Sequence, residues 1–137
     1  MPMTYEEFLR RTIDEGIEAA RQSYQRPDQA HKLEGSIAGF EACRDKKPAE
    51  ILALLTAAEA ESRAAMHGTG SSDDDPALKN YWRLRCKTLE IEWVANVLSA
   101  ALVCNNLQPI VPPTARGMFK AASILGVEGT PSPITVP

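Results

Sequence analysis

The positions of the prolines constrain the fold of this 137-residue chain more than any other feature. Six of the ten prolines separate stretches in which apolar residues recur every three or four positions, and these six are at 27, 48, 76, 109, 112 and 113. Proline has no amide hydrogen and clashes with the preceding turn, so it ends a helix or occupies its first turn. The intervals between these prolines therefore predict separate α-helices.

Capping residues predict where the first and third helices begin and end. The first helix begins after Thr4, with Glu7 completing a capping box, and it stops before Pro27. The third helix has Pro48 in its first turn and ends at Gly68 in a left-handed cap.

The fourth and fifth helices have equally clear signals. The fourth begins at Pro76 and runs to about Cys104, which makes it the longest in the chain. The fifth is short, because Thr114 caps its start at Ala115 and Gly126 follows its last residue.

The second helix is predicted to start with Asp28 as its N-cap and to run to about Arg44. One face of it carries apolar residues and is expected to be buried, namely Ala30, Leu33, Ile37 and Phe40. A further face carries only small residues, namely Gly35, Ala38, Gly39 and Ala42. Each glycine costs about 1 kcal/mol relative to alanine inside a helix, so this face predicts a close helix contact.

These helices define an all-α fold, a four- to five-helix bundle with a long central fourth helix. No stretch of the sequence alternates β-branched and polar residues over a useful length, apart from short segments that contain proline. Residues 1–129 are expected to form a single domain, and the Pro-rich residues 130–137 an extended C-terminal tail.

Twelve consecutive residues without charge, 93 to 104, lie in the second half of the fourth helix. A membrane span takes about 20 predominantly apolar residues, and Glu90 and Glu92 end this run too early. The segment is therefore expected to be covered by protein, either by the other helices or by a second copy of the chain. The second alternative predicts a homodimer whose interface includes the small-residue face of the second helix together with Val94, Leu98 and Ala101.

A line of polar residues runs along the fourth helix between two apolar faces. Its members fall within an arc of about 80°, and they are Tyr81, Arg85, Thr88, Glu92, Asn96 and Ser99. These residues are the ligand-binding candidates, because a carboxylate, a guanidinium and an amide on one side of a helix could act as a base, hold an anion and orient a ligand. The alternative is a solvent-exposed stripe, or buried polar pairs that fix the register of the helices.

The charge pattern argues against several classes of partner. With a formal net charge of −3 and basic residues scattered singly or in pairs, the chain has no stripe that could follow a phosphate backbone, so no nucleic acid partner is expected. Acidic residues near the N-terminus do not fit a signal peptide, and we expect a cytoplasmic protein without a membrane partner. Cys43, Cys86 and Cys104 are too widely spaced for a metal site, and no cofactor is indicated.

Two classes of function remain open at this level. The first is a small helical protein that acts through protein–protein interaction or regulation, with itself as a homodimer or with another protein as its partner. The second is a small-molecule-binding or hydrolytic bundle that uses the polar line of the fourth helix. The sequence contains no recognisable pair of nucleophile and base, which favours the first class and makes an enzyme the less favoured reading.

Overall fold

A computed structural model of the chain describes residues 3–66 and 75–126. These residues form five α-helices and no strand, so the prediction of an all-α bundle is confirmed. The helices are α1 (Tyr5–Ser23), α2 (Ala30–Ala42), α3 (Pro48–Ala65), α4 (Pro76–Cys104) and α5 (Ala115–Leu125). The predicted tail at 130–137 and the predicted cap at Gly68 lie outside the described residues.

Side-chain caps set the starts of three helices, and two of these caps, Thr4 and Thr114, were predicted from the sequence. The Thr4 hydroxyl accepts a hydrogen bond from the Glu7 amide at 3.1 Å, the Asp75 carboxylate accepts one from the Ala77 amide at 3.0 Å, and the Thr114 hydroxyl accepts one from the Gly117 amide at 3.2 Å. Each bond satisfies an amide that has no partner within its own helix.

Asp28 is not the N-cap of the second helix. Pro27 begins a short 3-10 turn that includes Asp28 and ends at Gln29, and α2 begins after it. The Asp28 carboxylate instead lies 3.2 Å from the guanidinium of Arg26. The prediction placed the N-cap of α2 one residue early, at Asp28 instead of Gln29, because proline was interpreted only as the end of the preceding helix.

Helix α4 is the central element of the bundle, with α2, α3 and α5 packed around it. Its second half is covered by these helices of the same chain, and Val94, Leu98 and Ala101 are at most 1% exposed. The first of the two alternatives for the uncharged segment is therefore the one observed. Among the described helices, none combines the length and the apolar character that a membrane crossing demands.

Helix α2 packs against α4 through its small residues, and the predicted apolar face is rotated away from the centre of the contact. Gly35, Ser36 and Gly39 are buried, whereas Leu33 and Ile37 are only partly buried and Ala30 is exposed. Phe40 is the one member of the predicted apolar face that is fully buried. The small residues let the backbones of α2 and α4 approach each other closely. They are therefore buried, whereas most of the larger apolar side chains of α2 stay partly exposed.

The two glycines of α2 bring the helices into backbone contact. A β-carbon at Gly35 would overlap the carbonyl oxygen of Arg83, and one at Gly39 would overlap the carbonyl oxygen of Lys87. The close contact that the glycines predict is thus present, and it lies within the chain. Of the same face, Ala42 packs against the core from a partly buried position and Ala38 is exposed.

These positions account for the residues that suggested a homodimer. Gly35, Gly39, Val94, Leu98 and Ala101 are covered inside one chain, so they cannot serve as the interface proposed for them unless the bundle opens. The homodimer stays a prediction, but the residues that suggested it no longer support it.

Candidate functional site

The polar line of α4 is divided among three separate environments. Thr88, near the middle of the line, is completely buried. Its hydroxyl lies 3.0 Å from the carbonyl oxygen of Ala58 in α3 and 2.9 Å from that of Leu84 one turn earlier. Thr88 therefore ties α4 to α3 and is not available to a ligand.

Asn96 and Ser99, at the end of the line, hold the segment that leads into α5. The Asn96 amide donates to the Thr114 hydroxyl at 2.8 Å, and its oxygen accepts from the Thr114 backbone at 2.9 Å. The buried Ser99 hydroxyl accepts from the amides of Ile110 and Val111, both at 3.1 Å. These contacts agree with the alternative in which buried polar groups fix register.

Tyr81, Arg85 and Glu92 line a small cleft of about 340 Å³ between α3 and α4, called here the α3/α4 cleft. The facing residues of α3 include Glu59 and Ser62. Glu59 lies 4.0 Å from Arg63, so its charge is partly engaged within α3. The structure therefore brings together three of the six candidates at this cleft. A second, larger space lies on the other side of Glu92.

The larger space is a groove of about 780 Å³ between α1, α4 and the start of α5, called here the α1/α4/α5 groove. Small residues of α1 form one wall, namely Gly16, Ala19, Ala20 and Ser23. The ring of Phe40 reaches the floor, and it fits there because a β-carbon at Gly16 would overlap its edge. The groove exists because α1 presents little side-chain volume to α4.

One end of the groove contains a partly buried carboxyl group, that of Glu90. Burial raises the pKa of Glu90 from 4.5 to about 7, and hydrogen bonding with the Ser36 side chain opposes part of this rise. No described residue forms an ion pair with Glu90. The spacing of Arg83, Lys87 and Glu90 predicts one solvated side of α4, but the side chain of Glu90 is partly buried.

Two further polar side chains neighbour Glu90, the hydroxyl of Tyr24 and the thiol of Cys86. Burial raises the pKa of both groups, and the charge of Glu90 raises each of them further. The thiolate is the nucleophilic form of cysteine, so a raised pKa leaves Cys86 unreactive near neutral pH. This end of the groove can accept or donate hydrogen bonds and can hold a cation when Glu90 is ionised.

The other end of the groove is basic. Lys120 lies 2.7 Å from the Glu15 carboxylate, and this hydrogen bond is the main reason why the pKa of Glu15 is lowered. Arg116, in the first turn of α5, has no ion pair with any residue of the described ranges, and its guanidinium stands 5.7 Å from the centre of the Trp93 ring. A helix start favours negative charge, so this end can receive an anion.

Sequence reasoning missed the groove because its parts come from three distant segments. Glu92 and Asn96 belong both to the predicted polar line and to the groove lining, but Glu90, Trp93 and Arg116 did not belong to the line. The one available signal was the small-residue wall of α1, since a helix that carries Gly16, Ala19 and Ala20 close together has a face without bulk.

Comparisons with protein-family models, with curated proteins and with solved structures found no match for this chain. Within the described residues, no group of three or more histidine, cysteine or acidic side chains is placed to hold a metal ion.

Proposed function

We propose that the protein binds a small molecule in the α1/α4/α5 groove. The observation that carries this proposal is the composition of that groove. It offers about 780 Å³, within the range of about 300–1,000 Å³ typical of ligand sites. Trp93 lines it between the carboxyl group of Glu90 and the guanidinium of Arg116, and neither group forms an ion pair with a described residue.

Binding is favoured over catalysis by the composition of the groove lining. The lining residues include neither a cysteine nor a histidine, so they offer no thiol nucleophile and no imidazole base. The groove therefore has the features of a recognition site, and its Glu92 and Asn96 come from the polar line that the sequence marked for ligand binding.

A thermal-shift screen with a panel of small metabolites tests the proposal, because a ligand that binds only the native state raises its melting temperature. Ala19 lies exposed on the groove wall, so Ala19→Trp fills the groove with an indole ring. Ala53→Trp makes the same change at an exposed position of α3 and is the matched control.

A true groove ligand will stabilise the wild type and Ala53→Trp and will lose its effect in Ala19→Trp. A panel with no stabilising compound, or compounds that stabilise Ala19→Trp equally well, would show that the groove is not a binding site.

Self-association is a second candidate function, and one observation favours it. Phe119 on the outer side of α5 is 81% exposed, and the neighbouring Met118 is 45% exposed. Apolar side chains grouped on an outer helix face favour contact with another protein surface. If a second copy covers them, Phe119→Ser will lower the solution mass measured by light scattering from that of a dimer to that of a monomer, and a wild type that is already monomeric would remove this candidate.

A further inference from the structure

Three charged residues of the α1/α4/α5 groove form no ion pair with a described residue, namely Glu90 at one end, Arg116 at the other end and Glu92 on the rim. Glu90, less than two turns before Asn96 on α4, has no cation among the described residues beside it, and Arg116 has no described carboxylate beside it. Lys120 and Glu15 are both in the groove lining but neutralise each other at 2.7 Å. The charges free to meet a ligand are therefore negative at the Glu90 end and positive at the Arg116 end, with Glu92 on the rim.

The distance between the two ends follows from helix geometry. Six residues separate Glu90 from Asn96, and Asn96 is bonded to the Thr114 cap of α5 next to Arg116. At 1.5 Å per residue, the two levels are about 9 Å apart along α4. The side chain of Trp93 is half-way between them in sequence and lines the groove between the two charges.

From this arrangement we propose that the groove takes a small zwitterion, in which a flat apolar segment separates an ammonium group from a carboxylate. The ammonium group meets Glu90, the flat segment lies against Trp93, and the carboxylate meets Arg116 at the start of α5. An ion of a single sign would leave one end of the groove without a partner. This inference rests on the proposed binding function, and it adds the chemical class of the ligand.

Three probes with the same ring test the ligand class. Para-(aminomethyl)benzoate carries both charges at opposite ends of the ring, para-methylbenzylamine carries only the ammonium group, and para-methylbenzoate only the carboxylate. Dissociation constants come from chemical-shift titrations of the full chain at pH 8. The zwitterion is expected to bind the wild type about tenfold more tightly than para-methylbenzoate, because it adds a charged hydrogen bond to the partly buried Glu90. It is expected to bind about threefold more tightly than para-methylbenzylamine, because the carboxylate that it adds meets the exposed and screened Arg116.

Two variants assign each end of the ligand. Glu90→Gln keeps the shape of the side chain and is expected to weaken the two ammonium probes about tenfold, with no change for para-methylbenzoate. Arg116→Gln is expected to weaken the two carboxylate probes about threefold, because Arg116 is exposed and its charge is screened. Glu7→Gln, at an exposed position of α1 outside the groove, is the charge-matched control and is expected to change nothing.

The outcomes separate the ligand class from the binding function. Three probes of equal affinity, or a Glu90→Gln variant that weakens all three equally, would overturn the zwitterion while leaving a groove that binds. The same holds if none of the three probes binds but a compound from the metabolite panel loses its effect in Ala19→Trp. If probe binding is unchanged in Ala19→Trp, both the zwitterion and the groove are wrong.

Discussion

Helix α4 meets two neighbours through small residues, and the two contacts have opposite results. Against α2, Gly35 and Gly39 let the backbones touch, and the contact is closed. Against α1, the small residues Gly16, Ala19 and Ala20 border a groove of about 780 Å³. The difference lies in what stands opposite, because α2 meets the carbonyl groups of α4 directly whereas the ring of Phe40 fills the space at Gly16.

Small residues on a helix therefore do not specify close packing by themselves. Small residues leave space beside the helix. The opposing surface decides whether another backbone fills that space or whether it stays open next to a large side chain. The following substitutions test this difference, in order of expected effect on the free energy of unfolding.

The largest effect is expected at Phe40, whose ring joins the floor of the groove to the core and is 2% exposed. Phe40→Ala should lower the free energy of unfolding by about 4 kcal/mol, because it removes a buried ring and leaves a cavity under Gly16. Urea unfolding followed by circular dichroism measures this loss. A change of less than about 1 kcal/mol would mean that the ring does not support α1 in this way.

The next largest effect is expected at the closed contact. Gly39→Leu should cost about 3 kcal/mol, because a side chain there must push α2 away from the carbonyl group of Lys87. Ala38→Leu enlarges the neighbouring exposed residue of the same helix and should change stability by no more than about 0.5 kcal/mol. Similar losses in the two variants would show that the cost arises from α2 itself and not from its contact with α4.

The ends of α4 and α5 were predictable from the sequence, and the orientation of α2 was not. Thr114 and Gly126 mark helix ends through hydrogen bonds within a few residues, and Pro76 marks one through its fixed ring, so neighbouring sequence is sufficient there. The orientation of α2 depends on the carbonyl groups of α4, more than forty positions further along the chain. The apolar side chains of α2 predicted the wrong centre for its contact with α4. Two backbones that approach each other closely can bury a helix face that carries no large apolar side chains.

The site divides in the same way. The polar line of α4 is real as a sequence pattern, but Thr88 and Asn96 find their partners in α3 and at Thr114, which only the fold brings near. Glu90 is the opposite case. In the sequence it lies near other charged residues and is expected to be solvated, but in the fold it is partly buried by Ser36 of α2 and by the wall of α1.

Glu90 lies where the closed contact and the groove meet, and it predicts a pH dependence of stability. Burial raises its pKa from 4.5 to about 7 in the folded chain. The folded state therefore holds this proton more tightly than the unfolded state, so the stability that it contributes is complete below pH 4.5 and is lost as the pH rises through about 7. Tyr24 and Cys86, the titratable neighbours, have raised pKa values and stay neutral over this range.

Glu90→Gln removes the ionisation, so its free energy of unfolding should not fall as the pH rises through about 7 in the way expected for the wild type. Because the carboxyl is partly exposed, the variant should be more stable than the wild type by about 1–2 kcal/mol at pH 8, and the difference should shrink towards pH 5. A difference between Glu90→Gln and the wild type that does not vary with pH would show that the carboxyl is solvated.

The smallest effect is expected at the α1/α4/α5 groove. It is the sharpest test of the difference between the α1 and α2 contacts of α4. Ala19→Leu enlarges a small residue of α1 as Gly39→Leu enlarges one of α2, but Ala19 is exposed and faces the groove. The new side chain has room, leucine is nearly as good a helix former as alanine, and the expected change in the free energy of unfolding is within about 0.5 kcal/mol. Urea unfolding of the two leucine variants side by side measures the contrast. A loss at Ala19 comparable to that at Gly39 would mean that α1 closes onto α4 in solution as α2 does, and that the groove is filled by neighbouring helix and not by a ligand.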